Sequence, residues 1–88
     1  MIGKMVISKA GHDKDEIYFV LSVDKNMALV TDGKYKTIEK PKKKNIKHLQ
    51  IINKETEVGR KIVNSEKIIN EEVKRQIKLY KAEIKAKN

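Results

Sequence analysis

The 88-residue sequence contains no cysteine and no tryptophan, and only one proline and four glycines. The lack of cysteine excludes disulfide bonds and thiolate metal sites. No apolar run approaches the roughly 20 residues that a membrane-spanning helix needs. The first residues lack the longer apolar stretch and the small-residue cleavage site of a signal peptide. We therefore expect a cytoplasmic protein.

Aromatic residues are also scarce, being limited to Phe19 and three tyrosines. Aliphatic side chains must therefore supply most of the core, and an apolar fraction of 39% suffices for one modest core. The apolar residues are patterned along the chain, so wholesale disorder is not expected despite a charged fraction of 38%.

The residues that enzymes use are poorly represented. The chain has no cysteine nucleophile and no glycine-rich phosphate loop, and its two histidines, His12 and His48, lie far apart in sequence. Asp13, Asp15 and Glu16 cluster, but their spacing fits no calcium-binding loop. We expect no catalytic activity, no cofactor and no metal site.

Positive charge is concentrated in one segment of the chain. The formal net charge is +9, and residues 34–48 contain seven lysines against a single acid, Glu39. A compositional bias toward lysine would explain scattered lysines but not their concentration here. Such a stripe favours a polyanionic partner, with nucleic acid first and an anionic membrane surface second.

The first half of the sequence predicts short strands joined by turns, because its apolar runs are brief and rich in β-branched residues. The predicted strands cover residues 5–7, 17–23, 27–31, 35–40 and 49–52. In the second strand, residues 17, 19, 21 and 23 share the face predicted to be core. Five short strands favour a small barrel, because closure removes exposed sheet edges.

Two turn signals flank the predicted fourth strand. Asp32-Gly33 favours a type I′ hairpin turn, in which both central residues take positive φ. Pro41 cannot donate a ladder hydrogen bond and is predicted to end the strand. The barrel is therefore assigned to residues 1–53 and a helical C-terminal extension to residues 54–88.

The apolar period changes to that of a helix from Asn70 onward. Residues Val73, Ile77, Tyr80 and Ile84 recur at spacings of four, three and four. Asn70 is predicted to be the N-cap, followed by two glutamates in the first turn. No individual helix or strand is predicted within residues 53–69, but four of them need burial, so a free linker is not expected. These are Ile62, Val63, Ile68 and Ile69.

Three segments together resemble a known family. They are Ser8-Lys9-Ala10-Gly11-x-Asp13-Lys14, Thr31-Asp32-Gly33-Lys34 and Glu39-Lys40-Pro41-Lys42-Lys43-Lys44-Asn45-x-Lys47-His48-Leu49. Residues 2–52 resemble the bacterial KOW-domain RNA-binding proteins, small relatives of the KOW-bearing large-subunit ribosomal proteins of archaea and eukaryotes. The resemblance implies an SH3-like barrel, RNA binding and an association with ribosomes or translation.

The same resemblance implies that Gly11 is the key glycine of the motif and shapes the loop after the first strand. This chain departs from the pattern twice in that loop. Asp15 stands where a second glycine is expected, and His12 stands where an arginine is usual. Both changes weaken the expectation that the Gly11 loop contributes to RNA binding.

We predict phosphate contacts from basic and aromatic residues, with an affinity dominated by counterion release. The candidate RNA-binding residues are Lys34, Tyr35, Lys36, Lys40, Lys42, Lys43, Lys44, Lys47 and His48, together with Lys9, His12 and Lys14; Gly11, Gly33 and Pro41 are the structural residues of the motif. Tyr35 has a second interpretation as a structural residue of the barrel, and His48 has one as the residue that closes the last strand. Acidic residues in the 9–16 segment would neutralise the charge of its basic residues. Lys74, Lys78, Lys81 and Lys85 either flank the buried helix face or form a second phosphate-binding face.

The predicted partner is RNA, with ribosomal RNA foremost, and ribosomal or other translation proteins as further partners. The alternative is a protein-interaction adaptor that docks on a translation or transcription partner. A third and weaker option is an amphipathic helix on a membrane surface, for which the apolar stripe is short.

Overall fold

The structure, a computed structural model, describes residues 1–87. The strands are β1 (Met5–Ser8), β2 (Ile17–Asp24), β3 (Met27–Thr31), β4 (Lys42–Asn45) and β5 (Leu49–Ile52). One 3-10 turn, Ile46–His48, separates β4 from β5, and the helices α1 (Glu57–Val63) and α2 (Asn70–Lys87) follow. All strands pair antiparallel in the order β4-β3-β2-β1-β5. The prediction of a mainly β chain with a C-terminal helix is confirmed.

The predicted fourth strand at residues 35–40 is wrong, because the strand that pairs with β3 is Lys42–Asn45. Asp32 Oδ1 accepts hydrogen bonds from the backbone N–H groups of Lys34 and Lys36, which folds this segment on itself. Aspartate competes in this way with the backbone pairing that a sheet needs. Gly33 has a positive φ of 74°, but Asp32 does not, so the turn is not type I′. Pro41 precedes β4 instead of ending it.

The sheet is strongly curved, because its two edge strands are joined by only three residues. A flat sheet with strands about 4.8 Å apart would place β4 and β5 about 19 Å from each other. The link from Asn45 to Leu49 reaches only about 14 Å even when it is fully extended. The backbone N–H of Lys9 donates to the carbonyl oxygen of His48 at 2.7 Å, which attaches this link to the end of β1.

Both faces of the sheet are buried at its centre. The outer cluster contains residues from the sheet and from both helices, and the inner cluster contains only strand residues. The outer cluster is Met5, Ile17, Phe19, Ile52, Val58, Val73 and Ile77, and the inner cluster is Val6, Tyr18, Val20, Ala28 and Val30. Ile46 of the link and Leu49, the first residue of β5, pack on the inner cluster, so the sheet curves toward that face.

The predicted core face of β2 is therefore only part of its buried surface. Ile17 and Phe19 are buried as predicted, but Val23 is exposed near the end of the strand. Tyr18 and Val20, assigned to the opposite face, are also buried. Helices cover one face while the curvature of the sheet covers the other, and a period of two cannot reveal double burial.

The helices contribute to the same core as the sheet. On α2, Val73 and Ile77 are buried and Tyr80 is half-buried, but Ile84 is exposed. In the segment left unassigned, α1 buries Val58, while Ile62 and Ile68 pack against the outer cluster. The other two residues that were expected to need burial, Val63 and Ile69, are exposed. No helix in the described part of the chain is long and apolar enough to cross a membrane.

Asn70 is not the N-cap of α2. The helix begins at Asn70 itself, and the backbone N–H of Ile69 donates to Glu72 Oε2 at 3.1 Å. The amide of Asn70 instead contacts the segment before β4: its Oδ1 accepts from the backbone N–H of Ile38 at 2.8 Å, and its Nδ2 donates to Glu39 Oε1 at 2.8 Å. This residue therefore attaches the lysine-rich segment to the helix.

Gly33 brings the turn after β3 into direct backbone contact with α2. A Cβ at this position would overlap the carbonyl oxygen of Asn70 and lie 3.0 Å from the Cβ of Val73. The positive φ of Gly33 independently disfavours any other residue. The turn can therefore lie against the first turn of the helix only because residue 33 is glycine.

Candidate nucleic-acid interface

The lysine-rich tract, which we define as residues 34–48, contains three structural environments. Residues 34–41 form turns, β4 carries three consecutive lysines, and residues 46–48 form the 3-10 link. In β4, Lys42 pairs with Val30 and Lys44 pairs with Ala28, both of which belong to the inner cluster. Side chains alternate along a strand, so Lys42 and Lys44 share the inner face and Lys43 points to the other. The tract is therefore not one continuous charged strip.

Lys42 and Lys44 both bind Asp13, which lies in the loop between β1 and β2. Lys44 Nζ donates to Asp13 Oδ1 at 2.7 Å and to the carbonyl oxygen of Ala10 at 2.9 Å. Lys42 Nζ donates to Asp13 Oδ2 at 2.9 Å. Residues 41–47 contain four lysines and only one apolar residue, Ile46, which predicts that the whole stretch is exposed. That prediction is wrong at Lys44, which is only 9% exposed.

Two hydroxyl groups also donate hydrogen bonds to the carboxylate of Asp13. Ser8 Oγ donates to Oδ1 at 3.0 Å, and the hydroxyl group of Tyr18 donates to Oδ2 at 2.8 Å. We call Ser8, Asp13, Tyr18, Lys42 and Lys44 the Asp13 network. It connects β1, β2 and β4 through one carboxylate, and no buried side-chain polar atom in the described residues lacks a hydrogen-bond partner.

The Asp13 network keeps its carboxylate charged. Burial alone would raise the pKa of Asp13, but the hydrogen bonds from Lys44, Lys42, Tyr18 and Ser8 together hold it well below its ordinary value of 3.8. Burial, followed by the hydrogen bond to Asp13, raises the pKa of the Tyr18 hydroxyl. Tyr18 thus remains protonated and donates its hydrogen bond. The network stabilises the fold, buries Lys44 and pairs the partly exposed Lys42 with an internal carboxylate.

Five lysines of the tract remain exposed and form no ion pair with any other described residue. They are Lys34, Lys36, Lys40, Lys43 and Lys47. Their ammonium groups are available for an external anion without the loss of an ion pair with another described residue. This availability distinguishes them from Lys42 and Lys44.

Tyr35 and His48 are in different environments. Tyr35 is 77% exposed, and Lys34 Nζ lies 4.9 Å from the centroid of its ring. That exposure excludes the structural role in the core that was one of its two interpretations. His48 is half-buried in the link, and its carbonyl oxygen accepts the hydrogen bond from Lys9. His48 therefore helps to close the last strand through its backbone.

The loop at residues 9–16 lies next to β4 because Asp13 binds Lys42 and Lys44. Lys9, His12 and Lys14 are exposed, and Asp13 does not neutralise them. Gly11 takes a positive φ of 89°. Asp15, which occupies the position where glycine was expected, takes a positive φ of 74°. The loop has the same left-handed turn that a second glycine would adopt more easily.

A groove of about 770 Å³ lies between the turn after β3 and α2. Its floor includes the buried residues Ile17 and Ile77. Its walls carry five basic residues, Tyr35 and three acids: Lys34, Lys74, Arg75, Lys78 and Lys81, with Glu16, Asp32 and Glu71. The sequence indicated the lysine stripe of α2 but gave no signal that Tyr35 and Lys34 lie opposite to it. Lys85 does not line this groove.

Two comparisons with known proteins found no match: no protein-family model matches the chain, and no curated protein matches it. Among the described residues, no group of three or more His, Asp or Glu side chains could hold a metal ion. A functional proposal for this chain therefore depends on its own residues and their geometry.

Proposed function

We propose that this protein is a cytoplasmic RNA-binding protein that contacts the phosphate backbone through the exposed lysines of the tract. The observation that carries the proposal is that five of the seven tract lysines are exposed and have no ion pair with another described residue. Exposed ammonium groups suffice for phosphate contacts, which position a nucleic acid without reading its sequence. Each contact gains free energy by releasing counterions.

The Asp13 network supports the proposal indirectly. It uses one carboxylate to hold two lysines at the inner face, and it places the exposed Lys9, His12 and Lys14 beside β4. Basic residues from two distant parts of the sequence thus lie near each other in the fold. A wider positive surface increases the number of phosphates that one RNA can contact.

We further propose that the curved sheet closes into an SH3-like barrel of the KOW type, and that the RNA is ribosomal. The three-residue link between the edge strands and the packing of Ile46 and Leu49 on the inner cluster support closure. The Thr31–Lys34 and Glu39–Leu49 segments, which carry much of the resemblance to KOW-domain proteins, support the choice of RNA over other polyanions.

Replacing Lys36 and Lys40 with glutamine is expected to weaken RNA binding by about 25-fold near 0.1 M salt, since each lost phosphate contact costs about 5-fold at that salt concentration. Both side chains are exposed and unpaired among the described residues, so folding should be unchanged. Fluorescence anisotropy with a labelled single-stranded RNA of about 12 nucleotides measures the affinity.

The matched control replaces Lys67 and Lys85 with glutamine, which removes the same charge from exposed lysines outside both the tract and the groove beside α2. Its affinity for RNA should stay within about 2-fold of the original, because neither lysine belongs to the proposed binding surface and the long-range effect of other charges is screened at this salt concentration. An equal loss in the two variants would show that net charge alone attracts RNA and would contradict a binding surface in the tract.

A further inference from the structure

The groove between the turn after β3 and α2 has walls that are fixed relative to each other. Gly33 touches the backbone of the first helical turn, and Asn70 hydrogen-bonds to Ile38 and Glu39. Asp32 Oδ1 accepts two backbone hydrogen bonds and so holds the conformation of the turn that carries Tyr35. The fold thus holds the backbone of Tyr35 opposite α2, and no partner is needed to place this residue at the groove.

Tyr35 itself has no structural use that the described residues reveal. Its hydroxyl makes no hydrogen bond with another described residue, and most of its ring is open to solvent. Large exposed aromatic side chains are favourable platforms for bases, because every base has a π-face that stacks on them. The ammonium group of Lys34 beside the ring adds a positive charge next to any stacked nucleotide.

The helix wall provides charge at a regular spacing. Lys74, Lys78 and Lys81 follow each other at intervals of four and three residues, so they line one side of α2. Lys74 Nζ lies 3.5 Å from Glu71 Oε1, whereas Lys78 and Lys81 have no ion pair with another described residue. With five basic and three acidic residues, the groove has a net charge of +2 and favours an anionic occupant.

We propose that this groove binds a single-stranded segment of RNA, with one base stacked on Tyr35 and the adjoining phosphates on Lys78 and Lys81. The proposal rests on the proposed RNA-binding function and assigns the form of RNA that this surface prefers. A duplex keeps its bases stacked on each other, so it offers no base face to Tyr35. The exposed aromatic ring therefore favours a single strand over a duplex.

Replacing Tyr35 with alanine is expected to weaken binding of a single-stranded RNA of about 12 nucleotides by about 5- to 100-fold. Replacing it with phenylalanine keeps the ring and should change the affinity by less than about 2-fold. Neither substitution should alter the unfolding transition, because the side chain is exposed. A duplex of the same sequence should bind both variants and the original protein equally. Fluorescence anisotropy measures all of these affinities.

Replacing Lys78 and Lys81 with glutamine provides the second test, with an expected loss of about 25-fold for the same single strand near 0.1 M salt. One outcome separates the two proposals: Tyr35→Ala and the double variant at Lys78 and Lys81 both keep the original affinity, while the double variant at Lys36 and Lys40 binds RNA more weakly. In that case the groove is not an RNA-binding site and the proposed function stands. If the original protein binds no RNA, both proposals fail. Equal affinity for poly-glutamate and RNA would identify a site for acidic peptides and overturn the proposal.

Discussion

Replacing Asp13 with alanine is expected to lower the free energy of unfolding by about 3–5 kcal/mol, because it leaves Lys44 buried without a counter-charge. The side chains of Asp13 and Lys44 are 12% and 10% exposed, so water cannot easily replace the lost partner. Lys42, Tyr18 and Ser8 lose a hydrogen-bond partner in the same substitution. Urea denaturation followed by circular dichroism measures this loss.

Asp15→Asn is the matched control, because Asp15 is exposed in the same loop and asparagine tolerates its positive φ. It should change the free energy of unfolding by less than about 0.5 kcal/mol. A loss below about 1 kcal/mol for Asp13→Ala would show that the Asp13 network does not stabilise the fold.

The same network gives stability a defined pH dependence. The folded state holds the pKa of Asp13 below the ordinary value of 3.8, so the unfolded chain takes up this proton first as the pH falls. The contribution of Asp13 is therefore complete above about pH 5 and is lost progressively below it. Asp13→Asn removes this component, so the free energy of unfolding of this variant should fall less steeply below about pH 5. Asp15→Asn should leave the pH dependence in place.

Replacing Gly33 with alanine is expected to lower the free energy of unfolding by about 2–5 kcal/mol, from two separate causes. The positive φ of Gly33 costs a residue with a Cβ about 1–2 kcal/mol. The new methyl group would also overlap the carbonyl oxygen of Asn70, which requires the turn and α2 to separate and costs about 1–3 kcal/mol more. Urea denaturation measures the sum.

Gly11→Ala separates these two causes. Gly11 has a similar positive φ of 89°, but a Cβ there would lie 3.4 Å from Asp13 Oδ1 and 3.6 Å from Lys44 Nζ, which are ordinary contacts. Only the conformational cost of about 1–2 kcal/mol should appear. Equal losses for the two variants would show that the contact between Gly33 and α2 is not tight enough to resist a methyl group.

Much of the fold follows from local patterns in the sequence. Four of the five strands are predicted where β-branched and aromatic residues are dense, and α2 is predicted from its apolar period. Strand β4 is missed because Lys-Lys-Lys-Asn has no strand preference of its own. It pairs with β3 because Asp13 stabilises Lys42 and Lys44 on the inner face, and that partner lies 29 and 31 positions away.

The candidate interface was predictable in charge but not in arrangement. The number of lysines in residues 34–48 is visible in the sequence, but which of them are buried depends on contacts with the 9–16 loop. The interpretation of Asn70 as a cap failed for a similar reason, since its amide binds a segment more than 30 positions away. The groove beside Tyr35 depends on the position of α2 against Gly33, which no local pattern encodes.

The salt dependence of RNA binding tests the central claim most directly. Five exposed lysines that each contact one phosphate of a single strand predict a slope of about −3.5 for the logarithm of the binding constant against that of the salt concentration. Affinity should then fall by about 100-fold between about 50 and 200 mM salt. A slope between 0 and about −1 would contradict a lysine-based phosphate contact surface.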